Sequence, residues 1–146
     1  MDNKIQYFSV KGLAIADYYP MPALRTMGDI DLVVKDKENV KNLLITIGYS
    51  FNEEEFNGWF NEWHFFKHGV EFELHDYLMY EQSLIPIEEV RYFNKCWDYV
   101  TDNELDWNYH FVLLIAHLRK HLLRGVGFRQ FLDIAILIKN RGSLFN

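Results

Sequence analysis

Met27-Gly28-Asp29-Ile30-Asp31-Leu32-Val33-Val34 is the stretch on which the reading of this sequence turns. Its β-branched run predicts a strand over 29–34. Side chains two apart on a strand face the same side. Asp29 and Asp31 therefore project together, while Ile30 and Leu32 turn into the core. At the rise of a strand their α-carbons stand ~6.6 Å apart. Two carboxylates so placed repel each other unless a positive group lies between them. Magnesium suits that position, being a hard cation that takes one or two carboxylates plus phosphate oxygens. An Asp-x-Asp by itself also describes two solvated acids, so the surroundings decide.

Upstream, Tyr7-Phe8-Ser9-Val10 predicts a short buried strand that ends at Lys11-Gly12. A helix over 13–19 follows, stopped by Pro20 and Pro22, and 23–28 is expected to be loop. A glycine at the strand–helix turn lets backbone approach phosphates, and a helix N-terminus attracts anions. Downstream, Asp36 is the expected N-cap of a helix over 37–47, with Val40, Leu43, Leu44 and Ile47 at helical spacing and Gly48 after its end. Residues 59–75 predict two strands turning at His68-Gly69. On the second strand Glu71, Glu73 and His75 share one face, where a carboxylate would complete a three-acid metal site. Residues 79–104, with Pro86, predict short helical pieces. Helices over 106–123 and 128–139 are joined through Gly125-Val126-Gly127, a connection short enough that they should pack together. The class is α/β (α+β): a small mixed sheet with flanking helices over about 1–101, then a helical segment over about 102–146, in one domain.

Composition narrows the function. The 146 residues are 49% hydrophobic and 17% aromatic, enough for one domain with a core rich in Phe, Tyr and Trp. Lys plus Arg number 15 against 21 Asp plus Glu, a formal net charge of -6. That opposes the basic surface needed to grip nucleic-acid phosphates. Cys96 is the only cysteine, which excludes an intrachain disulfide and a Cys-rich metal framework; it reads as packed beside Trp97. Met1-Asp2-Asn3-Lys4 does not open a secretory signal. The longest apolar run, 111–116, falls far short of the ~20 residues of a membrane span. A cytoplasmic location is expected.

Taken together, the pieces resemble the DNA polymerase β-like nucleotidyltransferase superfamily, and most closely a bacterial family described as uncharacterised nucleotidyltransferases. The resemblance rests on Lys11-Gly12-Leu13-Ala14, Tyr18-Tyr19-Pro20, Leu24-Arg25, Met27-Gly28-Asp29-Ile30-Asp31-Leu32-Val33 and Glu73-Leu74-His75. Its C-terminal part is His117-Leu118, Lys120-His121, Gly125-Val126-Gly127-Phe128-Arg129-Gln130 and Leu132-Asp133. Leu13 departs from the small hydroxyl residue of many superfamily members. The interval from Gly12 to Asp29 is also longer than in the most compact members. The resemblance further implies chains longer than this one.

It implies transfer of a nucleoside monophosphate from a nucleoside triphosphate to a hydroxyl acceptor, releasing pyrophosphate. Two Mg2+ ions (Mn2+ the alternative) would lie between the triphosphate and Asp29, Asp31 and Glu73, the catalytic and metal-binding acids. Two ions ~3.5–4 Å apart clamp the attacking and leaving oxygens of an in-line displacement. Glu73 would also help take the acceptor proton; Glu71 faces the same way and competes for its place. Phosphate and substrate contacts fall to Lys11, Gly12, Arg25, Gly28, His117, Lys120, His121 and Arg129.

Plainer readings stand beside these. Arg25 fits a loop-fixing salt bridge as well as it fits a phosphate, and Lys11 fits a strand end at the surface. His110, His117 and His121 lie near one helix face, but no adjacent cysteine or acid completes a zinc site, and packing against the last helix is the rival. Asp133 is expected to pair with Arg129, four residues earlier. Phe56, Trp59, Phe60, Trp63, Phe65 and Phe66 could stack on a base, but read more simply as packing. The expected acceptor is a small molecule, such as a sugar or antibiotic, or a protein side chain. Two rivals differ in class: a non-catalytic, antitoxin-like binding module acting through a protein partner, and an unrelated α/β protein in which Asp29, Asp31 and Glu73 do not converge.

Overall fold

The computed structural model describes residues 5–51, 62–79, 85–122, 125 and 127–142. Phe56, Trp59, Phe60 and Val126, and the ends of the 59–75 and 106–123 readings, lie outside them.

Strands β1 (Tyr7–Ser9), β2 (Ile30–Val34), β3 (Ser50–Phe51), β4 (Trp63–Lys67) and β5 (Val70–His75) form a five-stranded sheet in the order β1-β2-β5-β4-β3. Only β2 and β5 pair in parallel; their neighbours are antiparallel. The helices are α1 (Gly12–Ala16), α2 (Lys37–Thr46), α3 (Ile87–Phe93), α4 (Trp107–Leu122) and α5 (Phe128–Arg141). A small hairpin, β6 (Val100–Thr101) and β7 (Glu104–Leu105), precedes α4.

Local chemistry accounts for much of this. The Asp36 carboxylate accepts the Asn39 N–H at 3.0 Å and starts α2. Val40 and Leu44 from α2 then bury against Val34, Phe65 and Leu74 on one face of the sheet. His68 and Gly69, at φ 51° and 77°, make the two-residue turn between β4 and β5. Asp102 and Asn103 take the same left-handed region between β6 and β7, as short polar side chains tolerate. That hairpin and β3 are too short to leave a periodic signal in the sequence, and α1 is shorter than the 13–19 its residues predict. The chain leaves helix at Ala16 and makes a single 3-10 turn at Pro22–Leu24 before β2.

The other face of the sheet carries Phe8 and Val33, packed on Tyr109, Leu113 and Ala116 of α4. Ile15 and Tyr19 meet Leu114 of α4 and Leu137 of α5, so the C-terminal helices close over α1. This face, between the sheet and α4, is where the acids lie. No helix among the described residues is long and apolar enough to cross a membrane.

Candidate functional site

Register brings the acids together. The parallel pairing of β2 with β5 sets Asp31 beside Glu73, and the antiparallel pairing of β5 with β4 sets Glu73 beside His64. Partners in register project to one face, so Asp31, Glu73 and His64 form a row across three strands. His75, two residues beyond Glu73, joins the row's end: its Nε2 lies 3.1 Å from Asp31 Oδ1 and 3.6 Å from Glu73 Oε2. Asp31, Glu73 and His75 each present an atom within 4.8 Å of the others, a spacing that could hold a metal ion. Asp29 precedes β2 and stands half-buried at the mouth, close enough for its charge to act on Glu73.

The cluster is electrically uneven. Asp31 is only 3% exposed. Burial opposes its charge, but the His75 hydrogen bond and the Lys11 ammonium outweigh that and hold its carboxyl well below the usual range. Glu73 moves the other way: burial and the negative charge of Asp31 raise its affinity for a proton. Burial opposes protonation of His75, yet its bonds to the two acids push it upward. One acid is thus firmly ionised, while its neighbour is held closer to accepting a proton.

Lys11 reaches this site from a strained position. Its φ of 54° is uncommon for a side-chain-bearing residue and costs on the order of 1–3 kcal/mol. Two anchors hold it there: its ammonium pairs with Asp31, and its backbone N–H donates to His110 Nε2 at 3.0 Å. His110 is buried, stacked on Trp107, and must stay neutral to accept that bond; burial pushes its pKa down to about 4. Between the ordinary 6.5 and about 4 the unfolded chain binds the extra proton. Stability from His110 is therefore complete above pH 6.5 and declines as pH falls through that window, by up to about 1.4 kcal/mol per pH unit. Urea titrations at pH 7 and pH 5 are expected to show a smaller loss of stability for His110→Gln than for the parent chain. An equal loss would mean that His110 is not the group responsible.

The remaining expected site residues divide. Lys11, Gly12, Asp29, Asp31, His117, His121 and Arg129 line one cavity of about 130 Å3. His117 and His121 touch through their Nε2 atoms at 3.0 Å, and burial pushes the His117 pKa down to about 3. Lys120 lies in a neighbouring recess with His75 and Glu62, while Gly28 lines a wide groove of about 810 Å3 on the other side of Asp29. Asp29 borders both the cavity and the groove.

One expectation is corrected and one alternative is formed. Arg25 is 7% exposed, and its guanidinium binds Asp133 through Nε at 3.2 Å and Nη2 at 2.8 Å. This is the loop-fixing salt bridge expected as the alternative to a phosphate contact, and Arg25 also borders both the cavity and the groove. Asp133 pairs with Arg25, not with Arg129, whose Nη1 instead donates to the Thr26 carbonyl at 3.0 Å. Gly12 follows from the same pair: a Cβ there would stand 2.5 Å from Arg25 Nη1. The turn needs glycine to admit the guanidinium. His75, His64 and Glu62 were missed as site residues. For His75 the alternation with Glu73 was the available signal; for His64 it was the hairpin register, countable outward from the turn.

The whole chain, residues 1–146, matches a family described as Uncharacterised nucleotidyltransferase. No curated protein and no solved structure matches it. The five-stranded mixed sheet with flanking and C-terminal helices is consistent with a nucleotidyltransferase fold.

Proposed function

We propose, for a chain that belongs to the family of uncharacterised nucleotidyltransferases, a metal-dependent transfer of a nucleoside monophosphate from a nucleoside triphosphate to a hydroxyl group. The observation that carries this reading is the register that sets Glu73 beside Asp31 with Asp29 at the mouth. A DNA polymerase β-like ancestry, a bacterial source and a cytoplasmic setting, where triphosphates are abundant, belong to the same proposal.

The donor set fits a divalent cation. Carboxylates of Asp31 and Glu73 converge with the His75 imidazole at a spacing that could hold an ion, and Asp29 stands next to them. Asp29, Asp31 and Glu73 would hold Mg2+ or Mn2+, which when bound neutralises phosphate oxygens and the leaving pyrophosphate. The protein does the rest. The Lys11 ammonium and the Arg129 guanidinium, with the His117 and His121 imidazoles, line the cavity that would receive the triphosphate. The groove across Asp29 is of the size that small-molecule sites occupy, and would seat the acceptor. There the acceptor oxygen forms its bond to the α-phosphorus as the bond to the bridging oxygen of the β-phosphate breaks. Glu73 takes the hydroxyl proton. The net charge of -6 disfavours a nucleic-acid acceptor.

Calorimetry with ATP, GTP, CTP and UTP, with and without Mg2+, tests this. Binding of at least one triphosphate is expected only with Mg2+, weakened about 100-fold or more in Asp29→Asn. Metal-independent binding, or none by a folded sample, would contradict the reading. One observation favours a second reading, a binding module acting through a protein partner. Lys11 and His75 already pair with Asp31, so that carboxylate has partners without a metal ion. That reading requires the biological effect to survive joint replacement of Asp29 and Asp31 by Asn; the enzyme reading requires its loss.

A further inference from the structure

Glu73 points its two carboxylate oxygens at two different histidines. Oε2 lies 3.6 Å from His75 Nε2, on the Asp31 side, and Oε1 lies 3.9 Å from His64 Nδ1, on the opposite side. Beyond His64 stands Glu62, and Glu62, His64 and Glu73 each offer an atom within 4.8 Å of the others. The Glu73–His64 distance is too long for a hydrogen bond. It is measured to Nδ1, so a cation between the two residues would bind the other ring nitrogen, Nε2. His64 is also held as metal-binding histidines are held. Its Nδ1 hydrogen-bonds to Glu71 Oε1 at 2.8 Å, which fixes the ring and leaves the lone pair on Nε2. Glu71, the rival for the third acid, thereby gains a place as the orienting carboxylate of His64.

We infer that Glu62, His64 and Glu73 form a second cation site, bridged by Glu73 to the one at Asp31, and that it takes a first-row transition ion in preference to Mg2+. Mg2+ favours an all-oxygen octahedron, whereas imidazole favours Co2+, Zn2+ and their neighbours. The inference rests on the proposed role of Glu73 as a ligand of the first ion, and the experiment separates the two.

Equilibrium dialysis of the untagged chain against Co2+, with metal analysis and visible d–d absorption, counts the ions directly. Two Co2+ per chain are expected, of which excess Mg2+ displaces one. His64→Gln and Glu62→Gln should each lose the Mg2+-resistant ion and its absorption while keeping the other. Asp31→Asn should lose the displaceable one. Circular dichroism of each variant checks the fold, and having two independent variants guards against the collapse of either. Retention of the resistant ion in both His64→Gln and Glu62→Gln overturns the inference. So does its loss in His117→Asn, which would place it on the helical histidine pair. If Asp31→Asn loses no ion, the first site is wrong, whichever way the His64 variant behaves.

Discussion

Asp31→Asn and Asp29→Asn are each expected to lower nucleotidyl transfer about 1000-fold while having unequal effects on stability. The loss of activity has one cause: a metal-binding carboxylate supplies about 4 kcal/mol of transition-state charge stabilisation, and each 1.36 kcal/mol is about tenfold in rate. The stability effects differ because the two acids are embedded differently. Asp31 is the buried counter-ion of both Lys11 and His75. Its neutral replacement leaves the Lys11 ammonium facing an uncharged amide. Breaking a buried pair costs about 3–5 kcal/mol. The lower end applies here, because the Lys11 side chain is 22% exposed and can turn toward water. Asp29 is half-buried and borders two open cavities, and Asn there should change stability by less than about 0.5 kcal/mol. Pyrophosphate release from the triphosphate that binds measures the first effect, and urea unfolding without metal the second. Full activity in Asp29→Asn would remove the acid from the mechanism.

The other large effect is structural. Arg25→Ala or Asp133→Ala is expected to destabilise the fold by about 3–5 kcal/mol, because each leaves a buried charge without its partner. The Tyr19 hydroxyl donates to Asp133 Oδ1 at 2.6 Å, so Asp133 ties the end of the α1 region and the loop before Asp29 to α5 at once. Replacing all three together, Arg25→Met with Asp133→Leu and Tyr19→Phe, should cost far less than either alanine variant, since no charge or hydroxyl is then stranded. Chemical denaturation of the single and combined variants checks this. If Arg25→Ala unfolds at the same urea concentration as the parent chain but loses triphosphate binding, Arg25 is a phosphate contact after all.

The two halves of the site were unequally legible. Asp29 and Asp31 stand out because alternation along a single strand is a local property, and two acids at that spacing need no knowledge of the rest of the chain. Their setting was legible for the same reason. Asp36 caps a helix, His68-Gly69 turns a hairpin, and the apolar spacing of α4 and α5 marks helices, all within a few residues of each signal. The wider match of scattered pieces carried the family.

Alternation could not choose between Glu71 and Glu73, which share a face. A two-residue slip of β5 against β2 would exchange them, and the register is held by the packing of Leu32, Leu74 and Phe65 on the far side of the sheet. The true partner of Asp133 is 108 residues away, while the expected one was four away on the same helix. The need for glycine at position 12 arises from that distant ion pair, not from the turn itself. The sequence by itself determined the longer elements and which side chains share a face, because periodicity of a few residues encodes them. Only the tertiary structure decided which acid stands beside Asp31, which cation neutralises it and what Arg25 holds, because those follow from how distant segments close on one another, and no local spacing records that.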